Sequence, residues 1–129
     1  MDELYREIIL ENWKNPQNYG VIEDADIDIS DNNPLCGDEM RLTISLSQNK
    51  VKNILFISEG CAISKASASL FTEMVKEKSI KDIQQITPEE AITVLGVELT
   101  PTRTKCALLA YSTLKKGLNE IVTSENMRQ

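Results

Sequence analysis

Residues 41–46 read RLTISL: Leu42, Ile44 and Leu46 alternate with Arg41, Thr43 and Ser45. A period of two puts three apolar side chains on one face of a strand and three polar ones on the other. The polar tetrad SQNK at 47–50 supplies a turn, and the run VKNILFI at 51–57 returns as a second strand, β-branched and aromatic enough to be buried on both faces. A shorter alternation, ADIDI at 25–29, predicts a further strand ahead of these two. A three-stranded antiparallel sheet of this kind has an apolar face that other elements must cover.

The remaining segments supply the cover. Between residues 2 and 15, Leu4, Tyr5, Ile8, Ile9 and Trp13 lie at helical spacing, and Pro16 and Gly20 end the segment. Gly60 breaks the second strand of the hairpin and Cys61 opens a helix carrying Ile63, Ala66, Leu70 and Met74, with small residues at 66–69 that allow close packing on a sheet. Residues 79–86 and 87–95 predict two short helices, the second with Thr87 as N-cap, Pro88 at its first position, Glu90 at the capping-box position and Gly96 as its stop. Thr100 and Pro101 start one last helix with Ala107, Tyr111, Leu114, Leu118 and Ile121 in a stripe, and the tail after Thr123 is expected to fray. The order predicts an α+β fold, a small three-stranded antiparallel sheet with helices packed on one face, in one domain spanning 1–129. No repeat or linker divides the chain.

Composition excludes several classes of function. A net charge of −6 with interspersed acidic and basic residues offers no basic patch for a phosphate backbone, so no nucleic acid is expected. No segment approaches the roughly 20 apolar residues of a membrane span. The acidic opening MDELYREIILENWK is not a signal peptide, and a cytoplasmic protein is expected.

Three cysteines and no histidine define the chemistry on offer. An odd count prevents complete internal pairing, and reduced thiols coordinate metal, react or simply pack. All three fall at structural breaks: Cys36 in the turn NPLCGD before the best strand, Cys61 at the strand-to-helix junction, Cys106 near the start of the last helix. A helix N-terminus favours a thiolate, and Arg103 and Lys105 bring cations close to Cys106. Asp38 stands two residues beyond Cys36, with Gly37 between them permitting a tight turn. Three thiolates and a carboxylate complete a tetrahedral Zn²⁺ site, or hold an iron cluster with one weak ligand. The separations of 25 and 45 residues contain no closely spaced pair of the zinc-finger or ferredoxin kind. On spacing alone the bland alternatives stand: buried small thiols, a turn aspartate, solvated helix cations, and Tyr5 and Trp13 as core or interface residues.

The motifs NPLCGDEMRLTISL, ISEGCAISKASASL and LTPTRTKCALLAYSTLKKGL, with the opening YREIILENWKNPQNYG, resemble the iron-sulfur cluster assembly scaffold family of IscU, SufU and the NifU N-terminal domain, over about residues 4–121. The resemblance implies that Cys36, Asp38, Cys61 and Cys106 are cluster or metal ligands, with Gly37, Arg103 and Lys105 around them. It implies a scaffold, not an enzyme in its own right, that takes sulfur from a cysteine desulfurase with Cys106 or Cys36 as acceptor. It would then build a labile [2Fe-2S] cluster from iron and pass it to apo iron-sulfur proteins as a monomer or weak homo-oligomer. The alternatives are a Zn²⁺-bound SufU-like sulfur acceptor that stimulates a desulfurase, and a structural zinc module. Features of the subtypes mix. Lys105 replaces the histidine that IscU has before its third cysteine, the RTKC run at 103–106 resembles SufU, and the SufU insertion between the second and third cysteines is missing. LTPTR stands where IscU has its chaperone signal LPPVK, which argues against chaperone handling.

Overall fold

A computed structural model describes residues 3–33, 37–94 and 101–128. Its elements run α1 (Glu3–Lys14), β1 (Ile27–Asn33), β2 (Asp38–Ser47), β3 (Lys50–Glu59), α2 (Ala62–Val75), α3 (Ile80–Gln84), α4 (Pro88–Thr93), α5 (Pro101–Ala107) and α6 (Leu109–Arg128). The strands form one antiparallel sheet in the order β1-β2-β3. This is the expected α+β architecture, with each strand longer than its clearest alternating stretch.

Register explains the core. Ile27, Ile44 and Ile54 lie in one cross-strand row and Ile29, Leu42 and Phe56 in the next, all buried on a single face. Leu114 and Leu118 of α6 and Ala68, Phe71 and Val75 of α2 cover that face. β3 departs from expectation, because Leu55 and Ile57 on the opposite face are half-buried and not enclosed. At this part of the strand a short extended segment runs beside β3, Gly20 donating to the Phe56 carbonyl and the Phe56 amide to that of Asn18.

The helix at 62–75 serves two cores. Phe71 and Val75 face the sheet, whereas Ile63, Ala66 and Leu70 pack with Ile9 of α1, Cys106 and Ala107 in a second, smaller cluster. Ala66, Ser67, Ala68 and Ser69 are all buried, as a helix clasped on two sides requires. Of the expected α1 stripe, among the described side chains Ile9 is buried, Ile8 half-buried and Trp13 41% exposed.

The single last helix of the sequence reading is two, α5 and α6, parted at Leu108. At this break the Ser64 Oγ lies 3.2 Å from the Cys106 carbonyl oxygen. A side chain inserted on a helix carbonyl is a known cause of interruption, because it competes with the i→i−4 amide. Helical backbone reaches Arg128, past Thr123 where fraying was expected. The N-cap at Thr87 forms, accepting from the Glu90 amide at 3.2 Å. Cys36, the Gly96 stop and the Thr100 cap lie outside the described residues.

Candidate metal centre

The site is assembled where the sheet register delivers two chain-distant segments to the same end. Asn33 pairs with Asp38 across the β1–β2 hairpin, and Glu39 pairs with Glu59 across β2–β3. Asp38 therefore begins its strand beside the point where β3 ends, at Gly60, and α2 begins. Gly60 has φ +138°, and a Cβ there would sit 1.9 Å from Asp38 Oδ1 and 2.9 Å from its Cα. Only a glycine lets the two backbones approach this closely.

Cys61 is the N-cap of α2, with β-region backbone, but its side chain caps nothing. Asp38 takes over that role: Oδ1 accepts from the Cys61 amide at 2.7 Å. Oδ2 accepts from the Cys61 thiol at 3.3 Å and, at closer range, from the Ser64 hydroxyl. Helix dipole and amide together favour a carboxylate at this position, which gives a wholly buried acidic group its stabilising partners.

Cys106 arrives from the third segment, on α5, with 3% of its surface exposed. Ligand atoms of Asp38, Cys61 and Cys106 all lie within 4.8 Å of one another. Both cysteines are reduced, Cys61 half-buried. Two soft sulfurs and one hard oxygen at this spread suit Zn²⁺, which accepts mixed S/O tetrahedra, and equally suit iron. Of the sequence-predicted residues, the structure thus brings Asp38, Cys61 and Cys106 together. Cys36 falls outside the described residues, between the paired ends Asn33 and Asp38. Gly37 has φ +70° and donates to the Asn33 carbonyl at 2.9 Å, the left-handed turn expected of it. Arg103 and Lys105 are exposed on α5.

Sequence reasoning passed over Ser64, which is 1% exposed and linked to Asp38 and the Cys106 carbonyl. A signal was available: Ser64 is the third helical residue after the Cys61 N-cap, the position from which side chains reach back over a helix start. Beside the site, an open groove of about 680 Å³ is lined by Tyr19, Asp31, Glu39, Arg41, Ile57 and Glu59 among others, and none of the three ligand residues contributes to it. Arg41 forms a two-pronged ion pair there with Asp28, whose carboxyl that hydrogen bond holds below its usual range.

An α+β domain with two cysteines and a carboxylate brought together at one end of its sheet has the donor set of a metal- or cluster-binding class of protein. Residues 4–127 match the family described as NifU-like N terminal domain, and the chain belongs to that family. It is 38% identical to the zinc-dependent sulfurtransferase SufU of Bacillus subtilis, over 92% of this chain and 91% of that protein. Identity is 35% to the iron-sulfur cluster assembly scaffold protein IscU 1 of Archaeoglobus fulgidus, covering 89% of this chain and 74% of the relative. The crystal structure of a putative SUF-system scaffold protein from Fervidobacterium islandicum superposes with a TM-score of 0.73 at 28% identity, over 87% and 94% of the two chains. Likeness to both SufU and IscU matches the mixture of motifs in the sequence. Among the described residues no helix is long and apolar enough to cross a membrane.

Proposed function

We propose that this protein is an iron-sulfur cluster assembly scaffold that holds a labile [2Fe-2S] cluster on Cys36, Cys61, Cys106 and Asp38. In this reading it receives sulfur from a cysteine desulfurase and passes the finished cluster to apo-proteins. The observation that carries the reading is the convergence of Asp38, Cys61 and Cys106 from three separate segments onto one end of the sheet. A scaffold must release what it builds. A carboxylate already hydrogen-bonded to an amide and a hydroxyl of its own protein is a ligand with somewhere else to go. Cys36 or Cys106 accepts the sulfane sulfur, and Cys106, being buried, would have to be uncovered first. Each sulfane sulfur then takes up two electrons from a reductant to become sulfide.

A second reading, a zinc-bound sulfur acceptor that stimulates the desulfurase without building a cluster, is favoured by the near full-length similarity to the zinc-dependent sulfurtransferase. There Zn²⁺ would be held by the same four residues and would keep the thiols deprotonated.

Anaerobic incubation with ferrous iron, cysteine, a pyridoxal-phosphate desulfurase and dithiothreitol separates the two. A scaffold develops a visible charge-transfer spectrum, which Cys36→Ser, Cys61→Ser and Cys106→Ser each abolish, and donates the cluster to an apo-ferredoxin. Retention of one zinc per chain, with faster desulfurase turnover and no chromophore, would establish the acceptor instead.

A further inference from the structure

Ser64 touches each of the three groups that meet at the site and is not itself in the ligand set. Its Oγ donates to Asp38 Oδ2, stands 3.2 Å from the Cys106 carbonyl oxygen, and lies 3.6 Å from Cys61 Sγ. A hydroxyl has one proton to donate. Two acceptors, the Asp38 carboxylate and the Cys106 carbonyl, therefore compete for it, and here the closer carboxylate holds it.

We propose that Ser64 is a positioning residue of the metal centre, its single proton passing between Asp38 and the Cys106 carbonyl as the carboxylate changes partners. With Asp38 turned onto the start of α2, as in this structure, the hydroxyl helps to hold it there. When the carboxylate swings to ligate, the hydroxyl rotates to the Cys106 carbonyl. The rotation keeps a buried donor satisfied, which makes departure of Asp38 from its resting position cheaper. It also ties the backbone of Cys106 to α2 at the break between α5 and α6, so a second ligand is fixed as the first arrives. Ligation by Asp38 and placement of Cys106 thus become one event, as outer-shell hydrogen bonds to metal ligands commonly arrange.

This inference rests on the metal-site reading above. The experiment is titration of the full-length metal-free chain with Zn²⁺ against a chromophoric chelator, and with Co²⁺ read by its d–d and sulfur-to-metal bands. Ser64→Ala is expected to weaken Zn²⁺ about ten- to a hundredfold, the usual cost of losing an outer-shell partner, and to lower the sulfur-to-Co²⁺ intensity as Cys106 loses its fixed place. Ser64→Thr, which keeps the hydroxyl, is expected to restore both. Wild-type affinity and spectrum in Ser64→Ala would overturn the proposal. So would equal weakening in the Ala and Thr variants, which would make shape, not the hydroxyl, the cause. If Ser64→Ala does not unfold cooperatively, Ser64→Thr decides: folded with wild-type affinity and bands supports the proposal, weakened binding overturns it. Failure of the wild-type chain to bind either metal removes the metal-site reading, and this one with it, whereas binding by wild type and Ala alike removes this one alone.

Discussion

At the scale of the residue, the two glycines beside the site differ in what a side chain there would meet. Gly37 has φ +70° with nothing among the described residues within 4 Å of its missing Cβ, so an added methyl meets backbone strain first. Gly37→Ala should cost about 1–2 kcal/mol, the penalty of a left-handed residue with a side chain, and leave metal binding nearly intact. Gly60 has φ +138° and Asp38 in the space a Cβ would fill. Relieving that overlap means moving the Asp38 carboxylate or parting β2 from the start of α2, so Gly60→Ala should cost well over about 2 kcal/mol and abolish tight Zn²⁺ binding. Urea unfolding and chelator competition on both variants measure the contrast, and equal effects would refute it. The cysteines were legible because the chain has only three and all fall at breaks, and Asp38 because it stands two residues from Cys36, but spacing left a shared site open and the ligand set came from the family resemblance. Gly60 was legible as a strand terminator only, since its contact with Asp38 arises from pairing between residues far apart in the chain. Ser64 was hidden for the same reason, one serine among several in a small-residue helix.

At the scale of the element, Asp38 is a cap for α2 as well as a candidate ligand. Cys61 leaves the helix start uncapped by its own side chain, and the strand before it supplies the acceptor. A lost N-cap costs about 1 kcal/mol, within a range of about 0.5–2. Against that stands the desolvation of a buried carboxylate, which its removal recovers. The Cys61 amide and thiol and the Ser64 hydroxyl offset that desolvation in the native protein, so the cap should win. Asp38→Ala is therefore expected to destabilise the metal-free protein by about 1–2 kcal/mol, visible as a lower urea midpoint with chelator present. No change would mean that the carboxylate is held only for the metal. Element types and order were legible throughout the described residues, because period-two strands and capped helices carry their pattern locally. The break at Leu108 was not, because what stands against it is a side chain from α2, far away in the chain. The Trp13 exposure was missed similarly: among the described residues α1 packs through Ile9 on the second cluster, and helical periodicity says which face is apolar but not how much of it is covered.

At the scale of the whole molecule, the question is whether metal builds the fold or occupies it. The larger core joins all three strands to α2, α3, α4 and α6, and neither Cys61 nor Cys106 belongs to it. Both belong to the smaller cluster with Ile9, Ile63, Ala66, Ala107 and Leu70. Fully buried Leu42, Ile44, Ile54, Phe56, Leu114 and Leu118 each contribute on the order of 1.5–3 kcal/mol, so the sheet and its helices are expected to hold together without an ion. A metal that binds the folded chain alone still stabilises it by linkage, by about 4 kcal/mol at a thousandfold excess over its Kd. For a domain of this size that corresponds to a shift in Tm of roughly 10–20 °C. Stripping metal with a chelator should thus lower Tm by that order while leaving native far-UV circular dichroism and a single cooperative transition. The amides that lose hydrogen-exchange protection should be those of α5 and the first turn of α2, not those of β2 or α6. A structural zinc module behaves otherwise: its secondary structure goes with the ion, so a chelated chain without a cooperative transition would identify the metal as part of the fold and not as cargo or cofactor.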